Sequence, residues 1–272
     1  MPITSLDGVL CMKCAIKSAT RSGLGEEQVP VRYKLGKSYL FSPRRYARMA
    51  KRVVRLLTGR DVIYKLDAHP RKKHLGSIYG GWTIVPELIN ARSIVYSFGV
   101  GDDISFDLEL IERFGTAVHG FDPSPLAIEW LATQNIPVNY IFHPWGLGTI
   151  DGQADFFAPS SGGMYSLHKE HMKEKLTQTE VTIHRLSTIA TNLGTEAIDL
   201  LKMDVEGAEY DVLPELLQCP VPIRQLLIEF HHRTGIESLA TTVKSVQSLR
   251  DAGFDLFHVS ETSSEFSFLR IK

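Results

Sequence analysis

Two carboxylates and a glycine directly follow an apolar run in the segment LLKMDVEGAEY, residues 200–210. If residues 198–203 form a central strand, Asp204 and Glu206 leave its carboxyl end, at the edge where parallel sheets bind ligands. Gly207 then permits a tight entry into the next helix. Carboxylates in this place can hold an acceptor hydroxyl and help to remove its proton during group transfer. Capping of the helix start is the alternative, and it explains one acid better than two.

A second group of reactive side chains follows the next apolar run, in the string EFHH at residues 229–232. An imidazole is suited to act as a base near neutral pH, because its ordinary pKa lies there. We therefore predict that His231 is the preferred base and that Asp204 and Glu206 hold the acceptor. His232 is predicted to line the pocket. For each histidine, a packed or exposed structural role is the alternative.

The same region could hold a divalent ion that lowers the pKa of the acceptor hydroxyl. The ligands would be Asp204, Glu229 and His231, which follow neighbouring predicted strands. The spacing does not establish such a site. Metal-independent base catalysis is therefore the first hypothesis, and the ion is the alternative.

Apolar runs alternate with helix-compatible segments from about residue 93 onward, which predicts a parallel sheet covered on both faces. Two final extended runs, joined by residues 260–264, predict a terminal antiparallel pair. The predicted strands are Ile94–Phe98, Ala117–Phe121, Val138–Phe142, Ile198–Met203, Gln225–Phe230, Phe254–Val259 and Phe266–Ile271. The predicted helices of this part are Leu108–Phe114, Leu126–Thr133, Tyr210–Leu217 and Leu239–Asp251.

A glycine turn, Gly99-Val100-Gly101, follows the first of these strands. The glycines allow close approach of the backbone to a ligand, but Ile104 stands where a dinucleotide fingerprint needs its third glycine. About 20 residues beyond the turn, Asp122 follows the second strand, where a carboxylate can bind a ribose diol. A helix cap is the alternative for this acid. A ribose acid without a diphosphate fingerprint suggests a nucleoside cofactor such as S-adenosylmethionine.

The glycine turn, the pair Asp122-Pro123 and above all LLKMDVEGAE together resemble the FkbM-type family of S-adenosylmethionine-dependent methyltransferases. The string QLLIEFHHR also resembles that family's next strand. The resemblance covers residues 79–272 and implies an α/β fold, with a Rossmann-like, seven-stranded, mostly parallel sheet whose last strand is antiparallel. It further implies methyl transfer to a hydroxyl oxygen. The cofactor-binding residues that it implies are Gly99, Val100, Gly101, Asp122, Pro123 and, near the adenine, Trp145.

Two further stretches are candidates for walls of the pocket. The string YGGW precedes the first strand, and its Tyr79 and Trp82 could lie over cofactor or substrate. Ordinary packing explains these two aromatic residues equally well. Tyr165 lies within residues 155–181, which we predict to form a long loop, and loops of this length often form lids.

A basic segment precedes this region: residues 32–73 carry 14 Lys and Arg against two acids, a charge of +12. Within it, Ser42-Pro43 begins a helix that we predict to end near Gly59. We interpret residues 1–78 as a basic, helical N-terminal segment and residues 79–272 as the methyltransferase domain. The basic helix predicts either a surface for an anionic partner or a solvated cap that complements the acidic remainder.

The composition indicates a globular protein, with 43% apolar and 22% charged residues among 272 and a net charge of −1. No apolar run approaches the roughly 18 residues of a membrane span, and no secretory signal opens the chain, so the expected location is the cytoplasm. Cys11 and Cys14 form a lone pair, which is more typical of a reduced tail than of a metal or redox site.

Three functions compete on the sequence alone. The first is O-methylation of a hydroxyl acceptor such as a sugar or a small-molecule alcohol. The second is an RNA-binding or RNA-modifying methyltransferase that uses the basic helix, although no aromatic-interleaved RNA motif supports it. The third is a catalytically silent Rossmann-like interaction module, which leaves the glycines, the ribose acid and the paired carboxylates unexplained. The sequence leaves the oligomeric state open.

Overall fold

The structure is a computed structural model, and it describes residues 43–159, 165–167, 175–233 and 237–270. Cys11, Cys14 and the first part of the basic segment lie outside these ranges. Residues 160–164 and 168–174 of the predicted loop and the end of the last predicted strand, at Ile271, also lie outside them.

The described residues form helices and strands that alternate through most of the chain. In chain order they are α1 (Pro43–Leu57), β1 (Lys73–Leu75), β2 (Trp82–Ile84), β3 (Ile94–Phe98), α2 (Ser105–Phe114), β4 (Ala117–Phe121), α3 (Pro125–Ala132), β5 (Tyr140–His143), β6 (Gly146–Leu147), β7 (Gly152–Pro159), β8 (Leu176–His184), α4 (Leu186–Leu193), β9 (Ile198–Met203), α5 (Glu209–Gln218), β10 (Ile223–Glu229), α6 (Leu239–Asp251), β11 (Asp255–Val259) and β12 (Glu265–Leu269).

The central sheet has seven strands in the order β11-β12-β10-β9-β3-β4-β5. Strands β3, β4, β5, β9 and β10 are parallel to their neighbours in this group, whereas β12 is antiparallel to both β10 and β11. The predicted α/β class, the strand number and the antiparallel last strand are therefore confirmed.

Apolar layers on both faces hold this sheet in place. Side chains of α4, α5 and α6 pack with one set of strand residues, which includes Tyr96 and Leu201. Side chains of α2 and α3 pack with the opposite set, which includes Val95 and Leu200. Because successive residues of a strand point to opposite faces, a central strand buried on both sides reads as a continuous apolar run. This is the physical reason for the run that precedes Asp204.

The order of strands reverses between β9 and β3. From β3 the chain proceeds outward to β4 and β5, whereas from β9 it proceeds to β10 on the other side. Met203 at the end of β9 pairs with Phe98 at the end of β3. The glycine turn after β3 and the acidic turn after β9 are therefore neighbours at the reversal point, where open parallel sheets bind ligands.

The predicted loop over residues 155–181 is wrong in the part that the structure describes. Strands β7 and β8 pair antiparallel from Gly152↔Ile183 to Pro159↔Leu176, and together with β6 they form a separate three-stranded sheet. Their exposed face is rich in Gln, Thr, Asp and Glu, so the segments lack the apolar run that marks a buried strand. Alternation of polar and apolar residues is the signal that could have identified them.

The described chain contains further elements outside the two sheets already given. A helix occupies Pro43–Leu57, as the basic segment predicts. Strands β1 and β2 form an additional antiparallel pair that the sequence did not indicate, and it contains Trp82. Within the described part of the chain, no helix is both long enough and apolar enough to cross a bilayer.

Candidate active site

A cavity of about 320 Å³ opens at the carboxyl edge of the central sheet, where the strand order reverses. Its walls come from the turns after β3, β4 and β9, from the end of β10, from the β11–β12 turn and the start of β12, from the β1–β2 connection and from the β6–β8–β7 sheet with nearby residues. The residues that line this cavity include Tyr79, Trp82, Gly99, Val100, Gly101, Asp122, Pro123, Tyr165, Lys202, Asp204, Glu206, Glu229 and Glu265.

The glycine turn after β3 brings the backbone close to the acidic turn after β9. Gly99 and Gly101 have positive φ angles of 78° and 55°, a conformation that glycine adopts without strain. A Cβ atom on Gly99 would overlap the carbonyl oxygen of Asp204, whereas a Cβ atom on Gly101 would meet no atom within 4 Å. Gly99 thus permits the packing of the two turns, and Gly101 leaves open space beside the backbone.

Asp122 ties the two cofactor-side turns together. Its Oδ2 accepts a hydrogen bond of 2.9 Å from the backbone N–H of Gly101, and its Oδ1 accepts one of 2.8 Å from that of Ser124. Ser124 in turn caps α3 by accepting from the N–H of Ala127. The carboxylate is therefore fixed in the cavity wall, and each oxygen keeps a lone pair for a further donor.

The acidic end of the cavity is built on a strained turn. Glu206 has a positive φ of 51°, which is uncommon for a residue with a side chain. The hydroxyl of Ser166 donates a 2.7 Å hydrogen bond to the Glu206 carbonyl oxygen, and the N–H of Gly207 donates one of 2.8 Å to Glu209. These bonds hold the turn so that Asp204 and Glu206 both face the cavity.

His231 contacts both of these carboxylates but does not itself line the described cavity wall. Its Nε2 lies 3.3 Å from Glu206 Oε2 and 3.8 Å from Asp204 Oδ1. On the other side, Oε1 of the fully buried Glu209 accepts from the backbone N–H of His231 at 2.8 Å and from its Nδ1 at 3.0 Å. Glu209 thereby sets the orientation of the ring and directs Nε2 toward the two carboxylates.

The protonation of this cluster follows from burial and charge. Burial lowers the pKa of His231, but the hydrogen bond to Glu209 and the surrounding carboxylates outweigh it and raise the pKa to about 10. Burial raises the pKa of Glu206 to about 7, against the charge of His231. Burial and the charge of Asp204 raise the pKa of Glu229 to about 8. At neutral pH the imidazole is a cation, and Glu206 titrates.

Lys202 is a functional candidate that sequence reasoning missed. Its Nζ donates to the carbonyl oxygens of Phe98 and Gly99, lies 4.0 Å from Asp204 Oδ2 and sits over the Trp82 ring at 5.7 Å. It is 6% exposed although its neighbours in the strand, Leu200, Leu201 and Met203, are buried and apolar. A single lysine inside such a strand was the available signal, because lysine is almost never fully buried without a partner.

The structure brings together most of the side chains that the sequence indicated. One cavity is lined by the glycine turn, by Asp122-Pro123, by three aromatic residues and by three carboxyl groups. These residues are Gly99, Val100, Gly101, Asp122, Pro123, Tyr79, Trp82, Tyr165, Asp204, Glu206 and Glu229.

Two predicted residues are placed elsewhere. Trp145 packs against the rings of His143 and His184, at centroid distances of 4.8 and 5.5 Å, and is not part of the described cavity wall. His232 is also absent from that wall, and its pKa is lowered to about 4 by burial and then by the charge of Arg233. This geometry therefore does not support the predictions that Trp145 lies near the adenine and that His232 lines the pocket.

The residues best arranged to hold a divalent ion differ from the predicted ligands Asp204, Glu229 and His231. Ligand atoms of Asp204, Glu206 and His231 lie within 4.8 Å of one another, so Glu206 takes the place of Glu229. Glu209 would act as the outer partner that orients the histidine, an arrangement common around metal-binding imidazoles. The same three side chains are also held together without an ion, because the imidazolium is itself a cation.

A nucleoside cofactor with a sulfonium group fits the described walls. The backbone beside Gly101 is open, Asp122 offers carboxylate oxygens to a ribose diol, and the carboxylates of Asp204 and Glu206 suit a neighbouring positive charge. The fold and the site thus define a Rossmann-like domain whose cavity can hold a nucleoside cofactor. The chain belongs to the FkbM methyltransferase family, since the model of the Methyltransferase FkbM domain matches residues 41–256. This membership supports S-adenosylmethionine as the methyl donor. The predicted boundary between an N-terminal segment, residues 1–78, and a methyltransferase domain, residues 79–272, stays a prediction.

Two curated relatives share recognisable sequence with this chain. It is 26% identical over 188 residues to the probable methyltransferase-like protein 24 of Homo sapiens, covering 65% of this chain and 45% of that protein. It is 29% identical over 182 residues to the protein of the same description from Rattus norvegicus, covering 63% and 44%. The match thus spans less than half the length of these relatives.

Among solved structures, the chain resembles fibrillarin of Aeropyrum pernix in complex with S-adenosyl-L-methionine. The TM-score is 0.36, with 9% identity and 66% coverage of each chain.

Proposed function

We propose that this methyltransferase transfers the methyl group of S-adenosylmethionine to a hydroxyl oxygen of a sugar or small-molecule alcohol. The observation that carries the proposal is the position of Glu206 and Asp204, whose carboxylates face the same cavity as the glycine turn and Asp122. A donor bound at that turn would bring its methyl group to the acidic end, where a hydroxyl needs a proton acceptor. Proton acceptance and alignment are the two tasks that O-methylation requires of the protein.

The base in this proposal is Glu206, in place of the His231 suggested by the sequence. Glu206 lines the cavity, and its pKa of about 7 lets it accept a proton near neutral pH. His231 stands behind it as an imidazolium, since its pKa is raised to about 10. A cation in that place cannot accept a proton, but it holds Glu206 in position.

Asp204 and Glu206 have different tasks in this proposal. S-adenosylmethionine, when bound, would supply a methyl group on its sulfonium sulfur, and breaking that S–CH3 bond would leave a neutral thioether that needs no proton. Asp204 holds the acceptor hydroxyl so that its oxygen points along the transfer direction, and Glu206 takes the hydroxyl proton. The negative charge also disfavours acceptors with phosphate groups, because like charges in a cavity repel one another.

The carboxyl groups of the cavity favour a neutral sugar or another small alcohol over a nucleic acid. Tyr79, Trp82 and Tyr165 can pack against the apolar face of a ring, while Glu229 and Glu265 can accept hydrogen bonds from further hydroxyls. An RNA acceptor would have to bring its phosphates to this acidic cavity. On α1, in contrast, Arg52 and Arg55 lie near Asp61, which does not line this cavity.

We expect tritium from methyl-labelled S-adenosylmethionine to enter neutral glycans or alcohols in fractionated extracts. The label should resist alkaline hydrolysis, because a methyl ether is stable to alkali whereas a methyl ester releases methanol. Mass spectrometry of the labelled product then identifies the methylated atom. Transfer to nitrogen, carbon or a carboxylate would contradict O-methylation, and transfer to RNA would favour the alternative function.

Chelation should leave methyl transfer unchanged. The positive charge between Asp204 and Glu206 is already supplied by protonated His231, so base catalysis by Glu206 requires no ion. The measurement is turnover before and after treatment with EDTA, with cofactor affinity as the control for intact structure. Loss of turnover with EDTA and its recovery with Mg²⁺ or Mn²⁺ would show that the ion mechanism operates instead.

A further inference from the structure

Helix α1 turns the side chains of Arg52 and Arg55 toward the domain. The Nε atoms of Arg52 and Arg55 lie 4.0 and 3.7 Å from Oδ2 of the buried Asp61, and Arg233 approaches the same oxygen at 2.9 Å. Arg52 also donates a hydrogen bond of 3.4 Å to the carbonyl oxygen of Ser260. Among the described side chains of α1, these contacts identify the side of the helix that faces the domain.

The apolar side of the same helix is consequently exposed. Ala50, Val53, Val54 and Leu57 follow the spacing i, i+3, i+4, i+7 and form one stripe along the helix. Val53, Val54 and Leu57 are 54%, 59% and 82% exposed, and Ile63 after the helix is 79% exposed. A surface helix normally buries such a stripe in the core, so this stripe is available to something outside the described domain.

The charge around the stripe identifies the kind of surface that it fits. Residues 43–60 contain seven Lys and Arg and no acid, and Lys51 and Arg60 are exposed. A second copy of the chain would bring two basic helices together, which like-charge repulsion disfavours. An anionic lipid surface complements the basic residues and also accepts the apolar side chains at the boundary between headgroups and acyl chains.

We propose that α1 and Ile63 dock this protein onto a membrane surface that contains anionic phospholipids. The apolar stripe enters the interface, and the exposed Lys51 and Arg60 contact the lipid phosphates. The helix lies in the plane of the surface and does not span the bilayer. This docking places the enzyme at a membrane and is separate from the chemistry in the cavity, so it holds or fails independently of the proposed acceptor.

Co-sedimentation of the full chain with lipid vesicles tests the proposal. We expect binding to vesicles of phosphatidylcholine mixed with phosphatidylserine, little binding to pure phosphatidylcholine, and weaker binding at high salt. The double change Val53→Asp and Leu57→Asp should reduce partitioning about tenfold or more, because it removes the apolar groups that leave water. Lys51→Gln with Arg60→Gln should weaken the preference for phosphatidylserine and its dependence on salt.

Val243→Asp on α6 is a matched control, because Val243 is also an exposed apolar helix residue, at 40% exposure. It should leave vesicle binding unchanged. Cofactor affinity of every variant shows that the domain is folded. Absence of binding to phosphatidylserine vesicles, or full binding by the double aspartate variant, overturns the proposal. A dimer that Leu57→Asp converts to monomers overturns it in favour of a second copy.

Discussion

Glu206→Gln should lower the turnover of methyl transfer by about 100- to 10,000-fold while S-adenosylmethionine still binds. The amide keeps the shape of the side chain but cannot accept the acceptor proton at the working pH. The cofactor-side contacts at Gly101 and Asp122 do not involve Glu206, so the dissociation constant of the cofactor should remain close to that of the parent chain. Single-turnover kinetics with an identified acceptor, together with calorimetry of cofactor binding, measure both quantities.

The pH profile gives the same assignment a second test. A base works only when deprotonated, and the pKa of Glu206 is raised to about 7, so the rate should rise as the pH increases through about 7. This limb should be absent in Glu206→Gln. His231, with a pKa raised to about 10, stays protonated throughout that range and contributes no limb there.

Glu112→Gln is the matched control, because Glu112 is an exposed residue of α2 far from the acidic turn in the sequence. It should show parent turnover and an unchanged pH limb. Full turnover in Glu206→Gln would refute the role of Glu206 as the base. A limb that persists in Glu206→Gln but disappears in His231→Ala would return the role to His231.

Much of the fold could be predicted from the sequence because its central strands are buried on both faces. Strands β3, β4 and β9 and helix α6 have the predicted bounds, and each combines apolar residues with a clear end. Strands β7 and β8 were missed since one face is exposed and polar, which makes them similar to a loop in composition. Apolar runs therefore revealed the core of the sheet but not its exposed extension.

The cofactor side of the site was also predictable, whereas the acid–histidine arrangement was not. Gly99, Gly101 and Asp122 follow consecutive strands at a spacing that has a geometric meaning. The position of His231 depends on the buried Glu209, a contact between the turn after β10 and α5 that sequence spacing does not specify. Without that contact, an imidazole after a strand reads as a free base, whereas the hydrogen bond to Glu209 and the neighbouring carboxylates raise the pKa of His231 to about 10.

Helix α1 illustrates a further limit of sequence patterns. Helical spacing predicts an amphipathic helix, and the usual expectation places the apolar side against the core. The buried Asp61 reverses this orientation, because its carboxylate draws Arg52 and Arg55 inward. A periodic pattern thus indicates two faces, and only the tertiary contact decides which of them is covered.

Asp122→Ala should weaken the binding of S-adenosylmethionine by about 100- to 20,000-fold. Asp122 is fixed in the cavity wall by the N–H groups of Gly101 and Ser124, and a lone pair of each carboxylate oxygen remains for a ribose hydroxyl. A hydrogen bond to a charged acceptor contributes about 1.5 to 3 kcal/mol, so two such bonds give about 3 to 6 kcal/mol. Calorimetric titration of the variant with the cofactor measures the loss.

The variant also removes two hydrogen bonds within the protein, so a structural effect must be separated from lost contact with the ribose. Comparing the affinities of 5′-deoxyadenosine and of its analogue that lacks the 2′- and 3′-hydroxyls makes this separation. If Asp122 binds the diol, the parent chain should bind 5′-deoxyadenosine much more tightly than the analogue, and Asp122→Ala should lose most of that discrimination. Asp251→Ala, an exposed change on α6, should retain parent affinity and discrimination. Equal discrimination in the parent chain and in folded Asp122→Ala would show that Asp122 only supports the glycine turn, and the ribose would then have to be bound by another group.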